Sequence, residues 1–244
     1  MYDRGTTLEA LREGEIEIVG RIVTSSNNAM LVTITRICPD PEPAFVLDAI
    51  YKPILGERPL DDFPDGTLAR REVAAWHVSE ASGWAIVPPT ILRDGPFGEG
   101  MVQAFVDADP DVDVVAMVVD DDVRLRRMTV LDAVMNNTDR KGGHILPVDG
   151  GRHVYGVDHG VTFSPMPKLR TVLWGWRGMA LAADEVEGLE RIQAALENDL
   201  REALSGLLSG PEIRATARRT EALLRSGRFP FPSRDWPAVP WPPF

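Results

Sequence analysis

Two short polar segments, each carrying an aspartate, lie on either side of a predicted hairpin in the second half of the chain. The first is residues 136–144 (NNTDRKGGH), which follow a helical pattern, and the second is residues 158–160 (DHG). The intervening runs 145–148 and 154–157 are apolar and are separated by Asp-Gly-Gly, which is typical of a turn. This order brings the two polar segments to adjacent strand ends, so we expect their aspartates to face one another.

Two carboxylates in this order suit phosphoryl transfer. One must orient or deprotonate the attacking hydroxyl, and the other must hold magnesium against the phosphates. A loop carboxylate, a second ligand five residues later, a hairpin and then Asp-x-Gly is the order of a kinase catalytic loop and its metal-binding loop. We therefore expect Asp139 to act on the acceptor and Asp158, with His144, to hold the metal.

Composition limits the class of protein. The chain has 244 residues, of which 44% are hydrophobic and 26% charged, as is ordinary for one large globular domain or two small ones. No apolar run approaches the roughly 20 residues that span a bilayer, and the N-terminus lacks a signal-peptide pattern. The single cysteine, Cys38, excludes an internal disulfide and a cysteine-based zinc cluster. We predict a cytoplasmic protein with no transmembrane segment.

The net charge also bears on partners. At −11 the chain repels phosphate backbones, which predicts that nucleic acid is not a partner. A nucleotide is still compatible with this charge, because ATP arrives with magnesium and magnesium prefers carboxylates.

The first part of the chain reads as a small sheet. Residues 15–23 and 30–37 alternate polar and apolar side chains, and the small polar residues 24–28 between them predict a hairpin turn. A third strand is predicted over 44–52, ending before Pro53.

One helix and two further strands complete this region. Thr67 suits a helix N-cap, and Leu68–Ser82 carries helical periodicity up to Gly83. Short strands are predicted around 86–92 and 100–106. We assign residues 1–106 to a small lobe.

The remainder is predicted to be mainly helical. The acidic stretch 107–113 is the candidate boundary of a larger lobe, residues 107–228, with helices over 122–136, 185–208 and 211–226. The tail, 229–244, is rich in proline and aromatic residues. Such a tail either packs extended along the body or docks a partner, and its aromatic residues favour packing.

A family resemblance follows from these motifs. The pattern Asn-x-Asp-Arg-x-x-x-His at 137–144 resembles the Asp-Arg-His-x-x-Asn catalytic loop of phosphatidylinositol 3-/4-kinases and HipA-type atypical kinases, and 158–160 resembles their Asp-Phe-Gly element. With YKP at 51–53 and GERPL at 56–60, the whole is similar to an actinobacterial group of kinase-like proteins. The resemblance covers roughly residues 15–165.

This resemblance implies an α+β, two-lobed protein-kinase-like fold that has a small β-rich N-lobe and a larger helical C-lobe. It implies ATP and a divalent metal (Mg or Mn) as cofactors, and an acceptor of unknown identity. The implied catalytic residues are Asp139 and Arg140, and the implied metal ligands are Asp158 and His144. The implied nucleotide-binding residues are Lys52 on phosphate, its partner Glu72, the phosphate loop with Ser25, Ser26 and Asn27, and Gln103, Phe105 and Val106 beside the adenine.

Two departures from the family pattern leave alternatives open. His144 stands where the family has a metal-binding Asn, and Lys141 stands where it has His. The chain is therefore read as an atypical kinase acting on a protein hydroxyl or a small molecule, or as a nucleotide-binding pseudokinase that acts as a regulatory interaction protein. A third reading is a metal-dependent hydrolase using His144, His153, Asp158 and His159. Glu72 has its own alternatives, an exposed helix face or replacement by Glu80.

Overall fold

The computed structural model describes residues 3–22, 28–39 and 43–244. It divides into two compact units, Met1–Val73 with Pro88–Val106, and Ala74–Val87 with Asp107–Phe244. The first contains a five-stranded sheet and the second is mainly helical, which confirms the predicted α+β class. The proposed three-part division at 106 and 228 stays a prediction.

An antiparallel sheet forms the body of the first unit. Its strand order is β1-β2-β3-β5-β4. The strands are β1 (Glu15–Arg21), β2 (Met30–Arg36), β3 (Phe45–Pro53), β4 (Thr90–Gly95) and β5 (Gly98–Ala104). Along β2, Met30, Val32 and Ile34 are buried in alternation, so the period-two pattern correctly predicted one core-facing side.

A helix absent from the sequence prediction covers that core. Helix α1 (Arg4–Glu13) starts at Asp3, whose Oδ2 accepts a hydrogen bond of 3.1 Å from the Thr6 N–H. Its residues Ala10 and Leu11 are fully buried with the apolar side chains of β2 and β3. Packing against α1 therefore buries one face of the sheet.

Helix α2 (Leu68–Ser82) has the predicted bounds but a different cap. The Glu57 carboxylate accepts hydrogen bonds from the N–H groups of Leu68 (3.0 Å) and Ala69 (2.7 Å). Thr67 takes the N-cap position, but its hydroxyl donates to the Pro64 carbonyl. The first turn is thus satisfied by a carboxylate from a distant loop, which also complements the helix dipole.

The second unit contains five further α-helices and a hairpin among the described residues. They are α3 (Val114–Val119), α4 (Arg126–Met135), β6 (Ile145–Val148), β7 (His153–Gly156), α5 (Ala183–Leu196), α6 (Asp199–Ser205) and α7 (Gly210–Ser226), with short 3-10 turns at Val123–Leu125 and Gly142–His144. Asp149, Gly150 and Gly151 all have positive φ at the β6–β7 turn, as that predicted hairpin requires. No helix in the described ranges has the length and apolar character that crossing a membrane demands.

Two sequence predictions in this unit were wrong in detail. The helix predicted over 185–208 is two helices, α5 and α6, separated at residues 197–198. The segment around Ile86 and Val87 is not a strand, because both of their N–H groups donate to the Ser79 hydroxyl at 2.9 and 3.0 Å. A side chain satisfies the backbone that a sheet partner would otherwise have paired.

Candidate active site

The predicted catalytic loop begins where α4 ends. Asn136 caps the helix in the left-handed conformation, with φ of 52°. Its amide nitrogen donates to the carbonyls of Ser164 (2.9 Å) and Met166 (2.7 Å), and its amide oxygen accepts from the Lys168 N–H at 2.9 Å. One side chain therefore ties the start of the loop to the segment that follows residues 158–160.

The next asparagine fixes the backbone of the predicted catalytic aspartate. Asn137 is fully buried, and its side chain donates to Asp132 (2.9 Å) and accepts from the Asp139 N–H (3.0 Å). The Asp139 carboxylate is about one-third exposed and lies 3.1 Å from the Lys141 ammonium. Asp139 thus has a fixed main chain and an accessible side chain.

The buried side chain of Arg140 links the two polar loops. Its guanidinium makes a fully buried ion pair with Asp132, with Nη2–Oδ1 at 2.9 Å and Nε–Oδ2 at 3.0 Å. It also donates to the carbonyls of His144 (3.2 Å) and Val157 (2.9 Å). Arg140 therefore connects the loop that carries Asp139 with the residue preceding Asp158.

The same guanidinium also contacts a buried histidine. Arg140 Nη2 lies 2.6 Å from His159 Nε2. A guanidinium only donates, so in this contact His159 Nε2 is the acceptor. His159 is thereby a structural member of the loop that carries Asp158.

The two predicted metal ligands lie side by side. His144 Nε2 is 3.3 Å from Asp158 Oδ2, and Asp158 adopts a positive φ of 60°. Burial lowers the pKa of His144 below its ordinary value, and the Asp158 carboxylate opposes that effect. A neutral imidazole and a carboxylate at this distance fit a divalent cation that accepts a nitrogen ligand.

Among the described residues, the histidines do not form a larger metal centre. Within the described ranges, no group of three or more His, Cys, Asp or Glu side chains is placed to hold a metal ion. His153 lies 3.0 Å from the Ala85 carbonyl and packs edge-on against Tyr155, while His159 faces Arg140. A cation on His144 and Asp158 would need phosphate and water oxygens to complete its coordination.

The predicted lysine pair is present in the first unit. Lys52, on β3, lies 2.7 Å from Glu72 on α2. Glu72 and the preceding Arg71 are each 1% exposed, so the alternative of an exposed helix face is wrong. Burying a glutamate requires a cationic partner, and Lys52 is one.

The residues predicted beside the adenine lie at the end of β5 and directly after it. Gln103 is buried and donates to the Thr90 hydroxyl at 2.8 Å. The Phe105 ring is half exposed, its N–H donates to the Asp48 carbonyl at 3.0 Å, and Val106 is half-buried. Ser25, Ser26 and Asn27, predicted to form the phosphate loop, lie outside the described residues.

Sequence reasoning missed Asp132, the anchor of this site. Asp132 is the only charged residue in the otherwise apolar run 130–135 of α4, and it is fully buried. A lone charge on a buried helix must have a partner, and Arg140 lies one loop later. That signal was available in the sequence, but the partner could not be identified without the fold.

Comparison with known structures defines the class of fold. The crystal structure of the Helicobacter pylori proinflammatory kinase CtkA superimposes with a TM-score of 0.52 at 11% identity, covering 90% of this chain and 94% of that one. The chain thus has a kinase-like fold. It belongs to the family of protein Rv2133c of Mycobacterium tuberculosis (strain H37Rv), to which it is 42% identical over 270 residues, covering 96% of this chain and 94% of the relative. No family model matches the sequence.

Proposed function

We propose that this chain is an ATP-dependent, kinase-like phosphotransferase related to the phosphatidylinositol 3-/4-kinase and HipA-type atypical kinases. The observation that carries the proposal is the network in which Arg140 contacts Asp132, both polar loops and His159. This network fixes the backbones beside Asp139 and Asp158 while leaving both carboxylates accessible. Phosphoryl transfer depends on such positioning rather than on covalent chemistry by the protein.

Asp139, Lys52 and Arg140 have different roles in the proposed transfer. Asp139 orients the acceptor hydroxyl and takes its proton as the oxygen attacks the γ-phosphorus. Lys52, oriented by buried Glu72, contacts phosphate oxygens. Arg140 acts through the loops that it holds, so its assignment is that of a positioning residue. The acceptor is a protein hydroxyl or a small molecule, and the resemblance to lipid kinases does not make it a lipid.

Asp158 and His144 are proposed to hold the divalent cation that accompanies ATP. A bound cation would neutralise phosphate charge. Imidazole nitrogen is a poor ligand for magnesium and a better one for manganese, so nucleotide affinity should be higher with manganese. His144→Asn should move the preference toward magnesium, and an unchanged metal order would remove His144 from the site.

Thermal unfolding with ATP and either metal tests nucleotide binding. A ligand that binds only the folded state stabilises by about 2.7 kcal/mol at a hundredfold excess over its Kd. Lys52→Ala should reduce this shift, while Arg70→Ala, which breaks an exposed ion pair with Glu99 in the same unit, should leave it unchanged. The absence of a shift with either metal at millimolar ATP would contradict the proposal.

Transfer is tested separately from binding. Asp139→Asn should retain the ATP-induced thermal shift and abolish phosphate transfer, because an amide cannot take the acceptor proton. Phosphate incorporation from labelled ATP into the chain or into added peptides is the measurement. A variant that transfers at the wild-type rate would show that Asp139 is not the catalytic residue.

A pseudokinase is the second candidate, and one contact favours it. The Lys141 ammonium lies 3.1 Å from the Asp139 carboxylate, where it competes with an acceptor hydroxyl for that carboxylate. A pseudokinase would bind ATP without transferring phosphate. If the ion pair is what prevents transfer, the wild type should bind ATP without incorporating phosphate, and Lys141→His, which restores the residue of the family pattern, should permit transfer. A wild type that already transfers phosphate would contradict the pseudokinase.

A further inference from the structure

The C-terminal segment 236–244 (WPAVPWPPF), here called the strap, lies against the catalytic loop. The Gly142 N–H, between Asp139 and His144 in sequence, donates to the Pro243 carbonyl at 2.8 Å. The Phe244 ring covers the Cα of Gly142 so closely that a Cβ there would overlap the ring. The strap thus contacts the loop that carries the predicted catalytic residue.

The strap also contacts the segment 168–174. The Ala238 carbonyl accepts from the Thr171 N–H (3.0 Å) and from the Trp174 indole N–H (2.8 Å). The Lys168 ammonium lies 4.3 Å from the centre of the Trp236 ring. These contacts and those to Gly142 place the strap along one face, formed by residues 137–144 and 168–174, which we call the strap-binding face.

The two segments of this face, residues 137–144 and 168–174, are hydrogen-bonded to each other. The Arg170 N–H donates to the Asn137 carbonyl at 2.9 Å, and the Arg140 N–H donates to the Arg170 carbonyl at 3.1 Å. Asn137 also fixes the backbone of Asp139. A chain that runs from Thr171 to Gly142 therefore passes alongside the stretch that contains Asp139.

The strap is bound as an extended peptide would be, but it has no hydroxyl group that could accept phosphate. Its sequence contains no serine, threonine or tyrosine. The face binds it chiefly through main-chain carbonyls, a mode of recognition that suits any extended peptide and that a small molecule without such carbonyls cannot reproduce. Trp241 is 86% exposed and Phe244 is half exposed, so the strap buries less of its aromatic surface than a core segment would.

We propose that the strap-binding face is the site of an extended polypeptide acceptor and that the strap occupies it as a pseudosubstrate. This inference rests on the proposed kinase function. When an acceptor peptide displaces the strap, its serine or threonine oxygen forms a bond to the γ-phosphorus of ATP. The bond from that phosphorus to the β–γ bridging oxygen breaks, ADP leaves, and the hydroxyl proton passes to Asp139.

Peptide binding to a shortened chain tests the docking step. A chain lacking residues 236–244 should bind a fluorescent peptide of sequence WPAVPWPPF in an anisotropy titration. The same peptide carrying Phe244→Ala should bind roughly tenfold more weakly, since the ring over Gly142 is lost. Trp241→Ala is the matched control, because that ring is exposed, and should bind like the parent peptide. A shortened chain that shows the ATP-induced thermal shift but no peptide binding would overturn the inference and leave the proposed function intact.

A serine scan of the strap tests the chemical step in the full chain. Ala238→Ser, Val239→Ser, Trp241→Ser and Pro242→Ser each place a hydroxyl on the strap, and with ATP and manganese at least one should acquire phosphate at the new serine, located by mass spectrometry. The parent strap should acquire none, and adding Asp139→Asn should abolish the signal. Nucleotide binding without phosphate at any of the four serines would overturn the acceptor role.

Full-length variants keep the test valid if the shortened chain does not fold. Phe244→Ala should speed amide hydrogen exchange at Gly142 relative to Trp241→Ala, because the strap carbonyl that accepts from this N–H is held less firmly. Unchanged exchange would show that the strap is a fixed structural element and would contradict displacement. A chain that binds the peptide but no nucleotide would instead contradict the proposed function.

Discussion

Arg140 and Asp132 form an ion pair in which both side chains are fully buried, with 2.9 Å between Nη2 and Oδ1. Asp132 belongs to helix α4, and Arg140 follows the predicted catalytic aspartate directly. Because Arg140 also donates to the carbonyls of His144 and Val157, the pair links the helix to both polar loops. The geometry of the candidate site thus depends on two residues that lie below its surface.

Removing one member of this pair should be strongly destabilising. Arg140→Met leaves Asp132 as a buried carboxylate without its cation, which costs about 3–5 kcal/mol. The matched control is Arg127→Met, whose partner Asp184 is half exposed, and its cost should stay below about 1 kcal/mol. Urea unfolding gives both free energies, and equal small losses would show that the buried pair does not stabilise the fold.

The Lys52–Glu72 pair should matter for nucleotide binding. Glu72→Gln keeps the shape but removes the charge that orients the ammonium at 2.7 Å. We expect Mn-ATP to bind roughly tenfold more weakly, the effect of about 1.4 kcal/mol. Calorimetric titration measures this, with Glu99→Gln, in the exposed pair with Arg70, as the control. Equal affinities for the two variants would separate Glu72 from the nucleotide site.

His144 should make stability depend on pH. Burial lowers its pKa in the folded state below the 6.5 of an exposed histidine, so the unfolded chain binds the proton more readily. The free energy of unfolding should therefore fall as pH falls below about 6.5, toward the lowered pKa, and be unaffected by His144 above that range. Metal-free denaturation of wild type and His144→Gln from pH 5 to 8 tests this. A difference between the two proteins that does not vary with pH would contradict it.

Gly188 should be intolerant of a side chain. A Cβ at this position of α5 would overlap the indole ring of Trp84, so Gly188→Ala should destabilise the fold by about 1–3 kcal/mol. Gly206, at the end of α6, has no neighbour within 4 Å of such a Cβ and a φ of −83°. Gly206→Ala should be neutral or stabilise by up to about 1 kcal/mol. Thermal unfolding compares the two, and equal destabilisation would contradict the packing argument.

Local patterns were sufficient for most elements but not for the short helix α3. The alternation in β2 and the periodicity of α2 and α4 predicted those elements because each pattern is complete within the segment that folds. Helix α3 was missed because its VVAMVV sequence favours strands. Asp113 caps its first turn by accepting a hydrogen bond of 3.0 Å from the Ala116 N–H, and this local capping prevails over strand propensity.

The sequence alone determined the order of the chemical groups: Lys52, then Glu72, Asp139, His144 and Asp158, on elements of predictable type. Tertiary structure decided which groups touch. The burial of Glu72, the cap from Glu57, the partnership of Arg140 with Asp132 and the strap on Gly142 all join residues that are distant in sequence or lie on different elements. The physical reason is that propensity and periodicity act over a few neighbouring residues, whereas a buried charge or an unpaired N–H is satisfied by whichever group the folded chain brings within about 3 Å.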